Sequence, residues 1–273
     1  MDAPSTPRTR RRFLAAGGAA LAAGLAGCAG FTGPDVTEAS SRTFDAPEGS
    51  VSVENRNGDV GVEPHTGDGV VVEISKRGRS RGAIDSVAVE GETAEGDLTV
   101  RTVHGEGFRN VSVDLTIRVP DGVPVGSVET TNGDAVVREV AGDVRATTSN
   151  GDASAVDVDG YVTVRSGNGD AEARGTTGLA GARSANGDVT VEVYALRGGT
   201  DVTAGNGDVE AGVAPDLGAE VLATVGNGDL EVEVDLDRAN VSASQVRGRL
   251  GGGGPLLTLT SANGDVRLYE LPE

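Results

Sequence analysis

Apolar and polar side chains alternate residue by residue along much of the chain. The segments LEVEVDL (230–236) and VTVEV (189–193) carry Leu or Val at every second position, with charged or hydroxyl side chains between them. A period of two is typical of a β-strand with one buried face. A second short run follows in several places, for example YVTVR (161–165). The pattern therefore predicts an all-β chain of many short strands.

The tripeptide Asn-Gly-Asp recurs beside these strands. Its first copy begins at Asn57, and from Asn132 onward the copies begin at intervals of 18, 18, 18, 20, 21 and 36 residues, the last being twice 18. A short, nearly constant period over half of the chain predicts stacked supersecondary units. The repeat residues after the first copy are Asn132, Gly133, Asp134, Asn150, Gly151, Asp152, Asn168, Gly169, Asp170, Asn186, Gly187, Asp188, Asn206, Gly207, Asp208, Asn227, Gly228, Asp229, Asn263, Gly264 and Asp265.

Two architectures fit a unit of two strands and two turns. In a single-stranded parallel β-solenoid (β-helix), each unit of about 18 residues is one coil, and its strands pair in parallel with the coils above and below at about 4.8 Å. In the alternative, stacked antiparallel hairpins, Asn-Gly turns join neighbouring strands, and Asn-Gly is the strongest hairpin signal. The near-constant unit length and the small apolar residues favour the solenoid, with Asn-Gly-Asp at its corners.

Each residue of the tripeptide suits a tight corner. Asn and Gly tolerate the left-handed backbone conformations that tight turns need, and an Asp carboxylate accepts local backbone hydrogen bonds. Stacking would also bring the Asn side chains into a ladder of amides along one edge, as in cross-β stacks. The repeat is therefore interpreted as structural.

The N-terminus has the order of features of an export signal. Basic residues precede an apolar run, FLAAGGAALAAGLAG (13–27), which is short for a membrane span of about 20 residues. The motif LAGC (25–28) resembles a lipoprotein cleavage site that ends in Cys28. We expect export, cleavage before Cys28, and lipid anchoring at the extracytoplasmic face of the cell membrane. The residues that resemble the twin-arginine export consensus are Arg10, Arg11, Phe13 and Leu14.

These features divide the chain into three parts. Residues 1–27 are the predicted twin-arginine lipoprotein signal peptide, and residues 28–41 are the lipidated Cys and a flexible tether rich in small and hydroxyl residues. Residues 42–273 are the predicted acidic β-solenoid. Within it, residues 42–128 form an irregular first part and residues 129–273 contain the regular repeats.

The charge of the chain restricts its partners. The formal net charge is -19, and removal of residues 1–27 takes away four Arg and one Asp, which leaves 19 basic and 41 acidic residues, or -22. This sign excludes nucleic acid and anionic lipid head groups as partners that bind through overall charge. A single Lys under a large acidic excess resembles the composition of proteins from extreme halophiles.

The order of motifs resembles a known family. An opening strand that runs into "NGDV", a strand that ends at Val119 and Pro120, the segment SVETTNGDAVV (127–137) and repeated "GNGDV"-like corners are similar to a bacterial and archaeal family of domains of unknown function labelled "putative adhesin". The resemblance covers about residues 42–270. It implies a β-solenoid at the cell surface, here as a haloarchaeal type of exported lipoprotein, and it brings no catalytic residues with it.

Residues with catalytic or metal-binding chemistry are few. The two histidines, His65 and His104, and the single Cys28 provide neither a hydrolytic triad nor a zinc cluster at ligand spacing. We therefore expect no catalytic residue, no metal site and no cofactor. The repeated aspartates leave two alternatives open, a polysaccharide lyase or hydrolase of the β-helix type that uses stacked Asp, and Ca²⁺ held between neighbouring carboxylates.

The sequence as a whole indicates a non-catalytic surface protein. A rigid face of regularly spaced polar residues is expected to bind envelope glycan or another surface protein, or to serve as a passive envelope scaffold or the partner of a sensor. Two sequons, at Asn110 and Asn240, are candidate N-glycosylation sites.

Overall fold

The computed structural model describes residues 35–105 and 110–272. The first part contains β1 (Val36–Asp45), β2 (Val51–Glu54), β3 (Val60–His65), β4 (Gly69–Gly78), α1 (Arg81–Asp85), β5 (Val87–Ala94) and β6 (Asp97–His104). The middle contains β7 (Ser112–Pro120), β8 (Val125–Asn132), β9 (Ala135–Arg138), β10 (Arg145–Asn150), β11 (Ala153–Val156), β12 (Tyr161–Asn168), β13 (Ala171–Arg174), β14 (Gly178–Asn186), β15 (Val189–Val193), β16 (Thr200–Asn206) and β17 (Val209–Val213). The last part contains β18 (Ala219–Asn227), β19 (Leu230–Glu233), β20 (Asp237–Val241), β21 (Gln245–Leu250), β22 (Leu256–Asn263) and β23 (Val266–Glu270).

The strands form two large open sheets. Sheet 1 has 11 strands in the order β1-β4-β7-β3-β9-β11-β13-β15-β17-β23-β19, and sheet 2 has 12 strands in the order β20-β21-β18-β22-β16-β14-β12-β10-β8-β2-β6-β5. The prediction of an all-β chain is confirmed. Both sheets are mostly parallel, so the alternative of stacked antiparallel hairpins is wrong for the repeated units.

Each repeated unit crosses once from sheet 2 to sheet 1. A strand of sheet 2 ends at the repeat Asn, the chain turns through Gly and Asp, and a strand of sheet 1 begins directly afterwards. Neighbouring units pair in register, since Asn150 lies opposite Asn168 in sheet 2 and Ala153 lies opposite Ala171 in sheet 1. The sequence interval of 18 residues is therefore the offset between hydrogen-bonded neighbours.

The core lies between the two sheets. Buried Val, Ala and Leu side chains from both sheets form one continuous hydrophobic cluster. The inward position directly after the corner is alanine in three neighbouring units and valine in the next three, in the order Ala135, Ala153, Ala171, Val189, Val209 and Val266. Such small side chains allow the sheets to lie close together, which suits a chain with few aromatic residues.

The last unit in the sequence is not the last in space. Strands β22 and β23 lie between the unit of β16 and β17 and the unit of β18 and β19. The interval of 36 residues was interpreted as two units of 18, and this interpretation is wrong. The intervening residues form the hairpin β20–β21, which covers β18 by antiparallel pairing. With that side of β18 occupied, β22 pairs with its other side.

The first part of the chain is irregular in a similar way. Strands β2 and β3 lie between the unit of β8 and β9 and the outer strands β6 and β7. Antiparallel strands then extend both sheets, β5 beside β6 and β4 beside β7. The predicted tether reached residue 41, but β1 already begins at Val36 and pairs with β4 over ten residues. Its side chains are mostly exposed, so backbone pairing rather than an apolar pattern holds this strand.

Candidate functional site: the repeat edge and the outer face of sheet 2

The repeat asparagines form a continuous ladder along one edge of the molecule. In each step an Asn Nδ2 donates to the Oδ1 of the Asn in the neighbouring unit, as between Asn168 and Asn150 at 2.9 Å and between Asn186 and Asn168 at 2.9 Å. The ladder runs through all eight copies in the spatial order Asn57, Asn132, Asn150, Asn168, Asn186, Asn206, Asn263 and Asn227. The amide ladder expected from the repeat is therefore present.

The glycine of each corner is required by both conformation and space. Gly169 has φ +138°, where L-residues are rarely found, and the other repeat glycines lie between +113° and +146°. A Cβ at Gly169 would overlap the carbonyl group of Gly151 in the neighbouring unit. The corner therefore accepts only glycine, because stacked backbones touch there.

The repeat aspartates also link neighbouring units. The Oδ1 of Asp152 accepts the backbone N–H of Asp170 at 2.8 Å, and the same bond recurs in every step of the stack. At the beginning of the stack, Asp114 of β7 accepts from Asp59 at 3.2 Å. The sequence predicted bonds to the local backbone, whereas the observed bonds reach the next unit.

A buried hydroxyl ladder accompanies the corners and was not anticipated. Ser184 Oγ donates to the carbonyl oxygen of Gly169 at 2.7 Å, and Thr148 Oγ1 donates to that of Gly133 at 2.8 Å. The signal in the sequence is a Thr or Ser two residues before the repeat Asn. It occurs in five units, at Thr130, Thr148, Ser166, Ser184 and Ser261.

The other predicted site residues lie apart from this edge. Cys28 and the export-signal residues Arg10, Arg11, Phe13 and Leu14 fall outside the described residues. The sequon residues Asn110 and Asn240 are both exposed, the first just before β7 and the second in β20. Their glycosylation stays a prediction.

The two histidines lie in different sheets. His65 ends β3 in sheet 1, where its Nε2 lies 2.7 Å from the Gly69 carbonyl oxygen. His104 ends β6 in sheet 2, where burial, reinforced by the charge of Arg56, lowers its pKa. Within residues 35–105 and 110–272, no three His, Cys, Asp or Glu side chains are grouped so that they could hold a metal ion. No helix in the same ranges is long and apolar enough to cross a bilayer.

A cavity of about 390 Å³ opens on the outer face of sheet 2. It lies where the interval between repeats lengthens from 18 to 20 residues, because the loop that carries Arg197 folds back over two earlier units. The floor and walls come from successive strands, among them Ser127, Arg145, Thr163 and Leu179. The sequence analysis treated the longer interval as a turn that absorbs extra residues, and the reach of the loop could not be inferred from it.

Three side chains fix this loop. The Arg197 guanidinium pairs with the carboxylate of Asp143, and its carbon lies 3.7 Å from the centroid of the Tyr161 ring. Asp143 also accepts the backbone N–H of Tyr161 at 3.0 Å. These hydrogen bonds, first from Tyr161 and then from Arg197, lower the pKa of Asp143 and hold it ionised. The cavity wall is therefore built by a charged pair stacked on an aromatic ring.

The fold and the repeat edge define a protein of stacked β-units, and a family comparison agrees. Residues 43–269 match the family model described as Toastrack DUF4097, so the chain belongs to the Toastrack family. No curated protein matches the chain.

Several solved structures resemble the chain at low identity. A "putative cell adhesion protein" from Clostridium sporogenes is 9% identical with a TM-score of 0.38, over 87% of this chain and 100% of that one. A "putative adhesin" from Bacteroides fragilis is 12% identical with a TM-score of 0.39, over 86% and 97%. A "putative lipid binding protein" from Parabacteroides distasonis is 11% identical with a TM-score of 0.39, over 84% and 96%.

Proposed function

We propose that this Toastrack protein is a non-catalytic binding or structural module of the cell surface. Its partner is envelope glycan or another surface protein. The observation that carries the proposal is the in-register pairing of the units, which aligns polar side chains in rows across the strands. One such row on sheet 2 is Thr147, Arg165, Arg183, Thr203 and Thr260.

Rigidity supports this role. The Asn, Asp and hydroxyl ladders join each unit to the next, so neighbouring rows keep a spacing of about 4.8 Å. A surface of fixed spacing suits a repetitive partner, since each further contact costs little additional ordering. The proposal takes the two sheets as faces of a single β-solenoid with coils of about 18 residues and Asn-Gly-Asp corners.

The proposal includes attachment to the membrane. Cleavage before Cys28 and lipid on its thiol would hold the domain at the extracytoplasmic face, as expected for an acidic lipoprotein of haloarchaeal type. The proposal includes no cofactor. The repeat aspartates support a structural role over glycan cleavage or Ca²⁺ binding, because each Asp that precedes another unit uses Oδ1 to accept a backbone N–H.

The test is a binding and turnover screen of the full chain against envelope fractions and purified glycans in molar salt. We expect retention of an envelope component without release of products. Product release would assign the chain to the glycan-cleaving class instead. Absence of any retained component, with a control surface-binding protein retained in parallel, would contradict the binding role and leave the passive scaffold.

A further inference from the structure

Two arginines on the outer face of sheet 2 lie directly opposite each other. Arg165 of β12 and Arg183 of β14 are register partners on adjacent parallel strands, and both side chains are exposed. Like charges in this position repel. Within the described part of the chain, neither arginine forms an ion pair with an acidic side chain.

This arrangement contrasts with sheet 1 of the same molecule. There Arg267 lies among Glu210, Glu231 and Glu233, at 3.1, 3.9 and 3.0 Å. A chain with 42 acidic residues could place a carboxylate beside an outward arginine almost anywhere. Thr147 and Thr203 instead occupy the positions on either side of the Arg165 and Arg183 pair.

The arginine pair lies next to the cavity described above. Thr163 lines the cavity and is two residues from Arg165 on the same strand, so both point to the same side of sheet 2. Arg145, which lies opposite Thr163, adds a third cation without an acidic partner among the described residues. The volume of about 390 Å³ lies within the usual range of small-ligand sites.

We propose that the cavity and the adjacent arginine pair bind an acidic saccharide, with a uronate carboxylate held between Arg165 and Arg183. A guanidinium group donates two parallel hydrogen bonds to a carboxylate, and a carboxylate between two such groups removes their mutual repulsion. The threonine hydroxyls beside the pair supply donors and acceptors for sugar hydroxyls. This inference rests on the proposed surface-binding function and specifies its ligand class.

The overall negative charge does not prevent this contact in strong salt. At 1 M salt the Debye length is about 3 Å, so repulsion from distant carboxylates is screened. Paired hydrogen bonds at contact distance keep their geometric specificity. Binding is therefore expected to depend on the two arginines and not on net charge.

The experiment measures the affinity of the full chain in detergent for fluorescent oligogalacturonate at molar KCl. The test variant is Arg165→Gln/Arg183→Gln. The matched control is Arg79→Gln/Arg138→Gln, which removes the same charge from two exposed arginines off this face, each without an ion pair among the described residues. Urea unfolding of both variants establishes that each is folded.

We expect the test variant to bind at least about tenfold more weakly, because loss of a charge-assisted hydrogen bond changes Kd by about that factor. The control is expected to stay within about twofold of the parent chain. Equal weakening of both variants, or of neither, would overturn the assignment to Arg165 and Arg183.

Two further probes separate this inference from the proposed function. A neutral oligoglucan and polyglutamate are measured under the same conditions, and both are expected to bind much more weakly than oligogalacturonate. Equal binding of polyglutamate would overturn the saccharide class. Binding of an envelope fraction without binding of oligogalacturonate would reject this inference and keep the surface role, and binding of neither would reject both.

Discussion

Replacement of Gly169 by alanine tests the reasoning about the corner. Gly169 lies in the middle of the stack with φ +138°. A Cβ there would overlap the backbone carbonyl of Gly151 and lie 2.6 Å from Asp152 Oδ1. The backbone cannot relieve this overlap locally, because Gly169 N–H donates to Asn186 at 2.8 Å and Asp170 N–H donates to Asp152 at 2.8 Å.

The expected loss of unfolding free energy has two parts. A non-glycine residue in a sparsely populated backbone region costs about 1–3 kcal/mol. Separation of the two units by enough to admit the methyl group would weaken both hydrogen bonds, each of which contributes about 0.5–1.5 kcal/mol. Gly169→Ala should therefore lose about 3 kcal/mol, a large fraction of the 5–15 kcal/mol typical of a folded domain, about which the handful of corner contacts is decisive.

Two control variants separate conformation from overlap. Gly122 has φ +82° but no atom within 4 Å of an added Cβ, so Gly122→Ala should lose only about 1 kcal/mol. Gly199 has neither a positive φ nor a close neighbour, and Gly199→Ala should stay within about 0.5 kcal/mol of the parent chain. The assay is urea unfolding followed by circular dichroism in molar salt. A Gly169→Ala midpoint equal to that of Gly199→Ala would refute the stacking argument.

Three further predictions follow from the structure. Asn168→Ala removes one hydrogen bond to each neighbouring unit and should lower the unfolding free energy by about 1–3 kcal/mol in the same assay, whereas Asn168→Asp, which keeps an acceptor, should lose less. Burial lowers the pKa of His104 below 6.5, so the unfolded chain takes up the proton first and stability should fall as the pH falls through and below that value; unfolding midpoints between about pH 7 and pH 5 should depend less on pH in His104→Gln, and an unchanged slope would contradict this. Cys28→Ser should move the protein from the membrane fraction to the soluble fraction after cell fractionation, while an unchanged distribution would reject lipid anchoring at that residue.

The sequence predicted the units of this protein well. Alternation with a period of two identifies strands such as β15 and β17, because one face of each strand must meet the core and the other meets solvent. The Asn-Gly-Asp tripeptide marks the corner, since only glycine fits a position with φ +138° against a neighbouring backbone. The amide ladder was predicted for the same reason, because identical residues in register must meet.

The order of the units could not be predicted from their sequences. Every corner presents the same Asn and Asp groups, so β22 can pair with β16 and β18 as well as any other unit strand. What decides its place is the hairpin β20–β21, which occupies the other side of β18. Strand β1 was missed for a related reason, since its partners are backbone groups of β4 and its exposed side chains carry no apolar pattern.

The candidate binding face likewise depends on tertiary structure. Arg165 and Arg183 are 18 residues apart in the chain, and nothing local indicates that their guanidinium groups share one face beside a cavity. Arg197 meets Asp143 only because a loop extends over two units of the stack. The sequence by itself determined what each unit is and how its corner turns, because these follow from local backbone preference and side-chain size. Only the tertiary structure decided which units are neighbours and which charges meet, because both depend on contacts between distant residues.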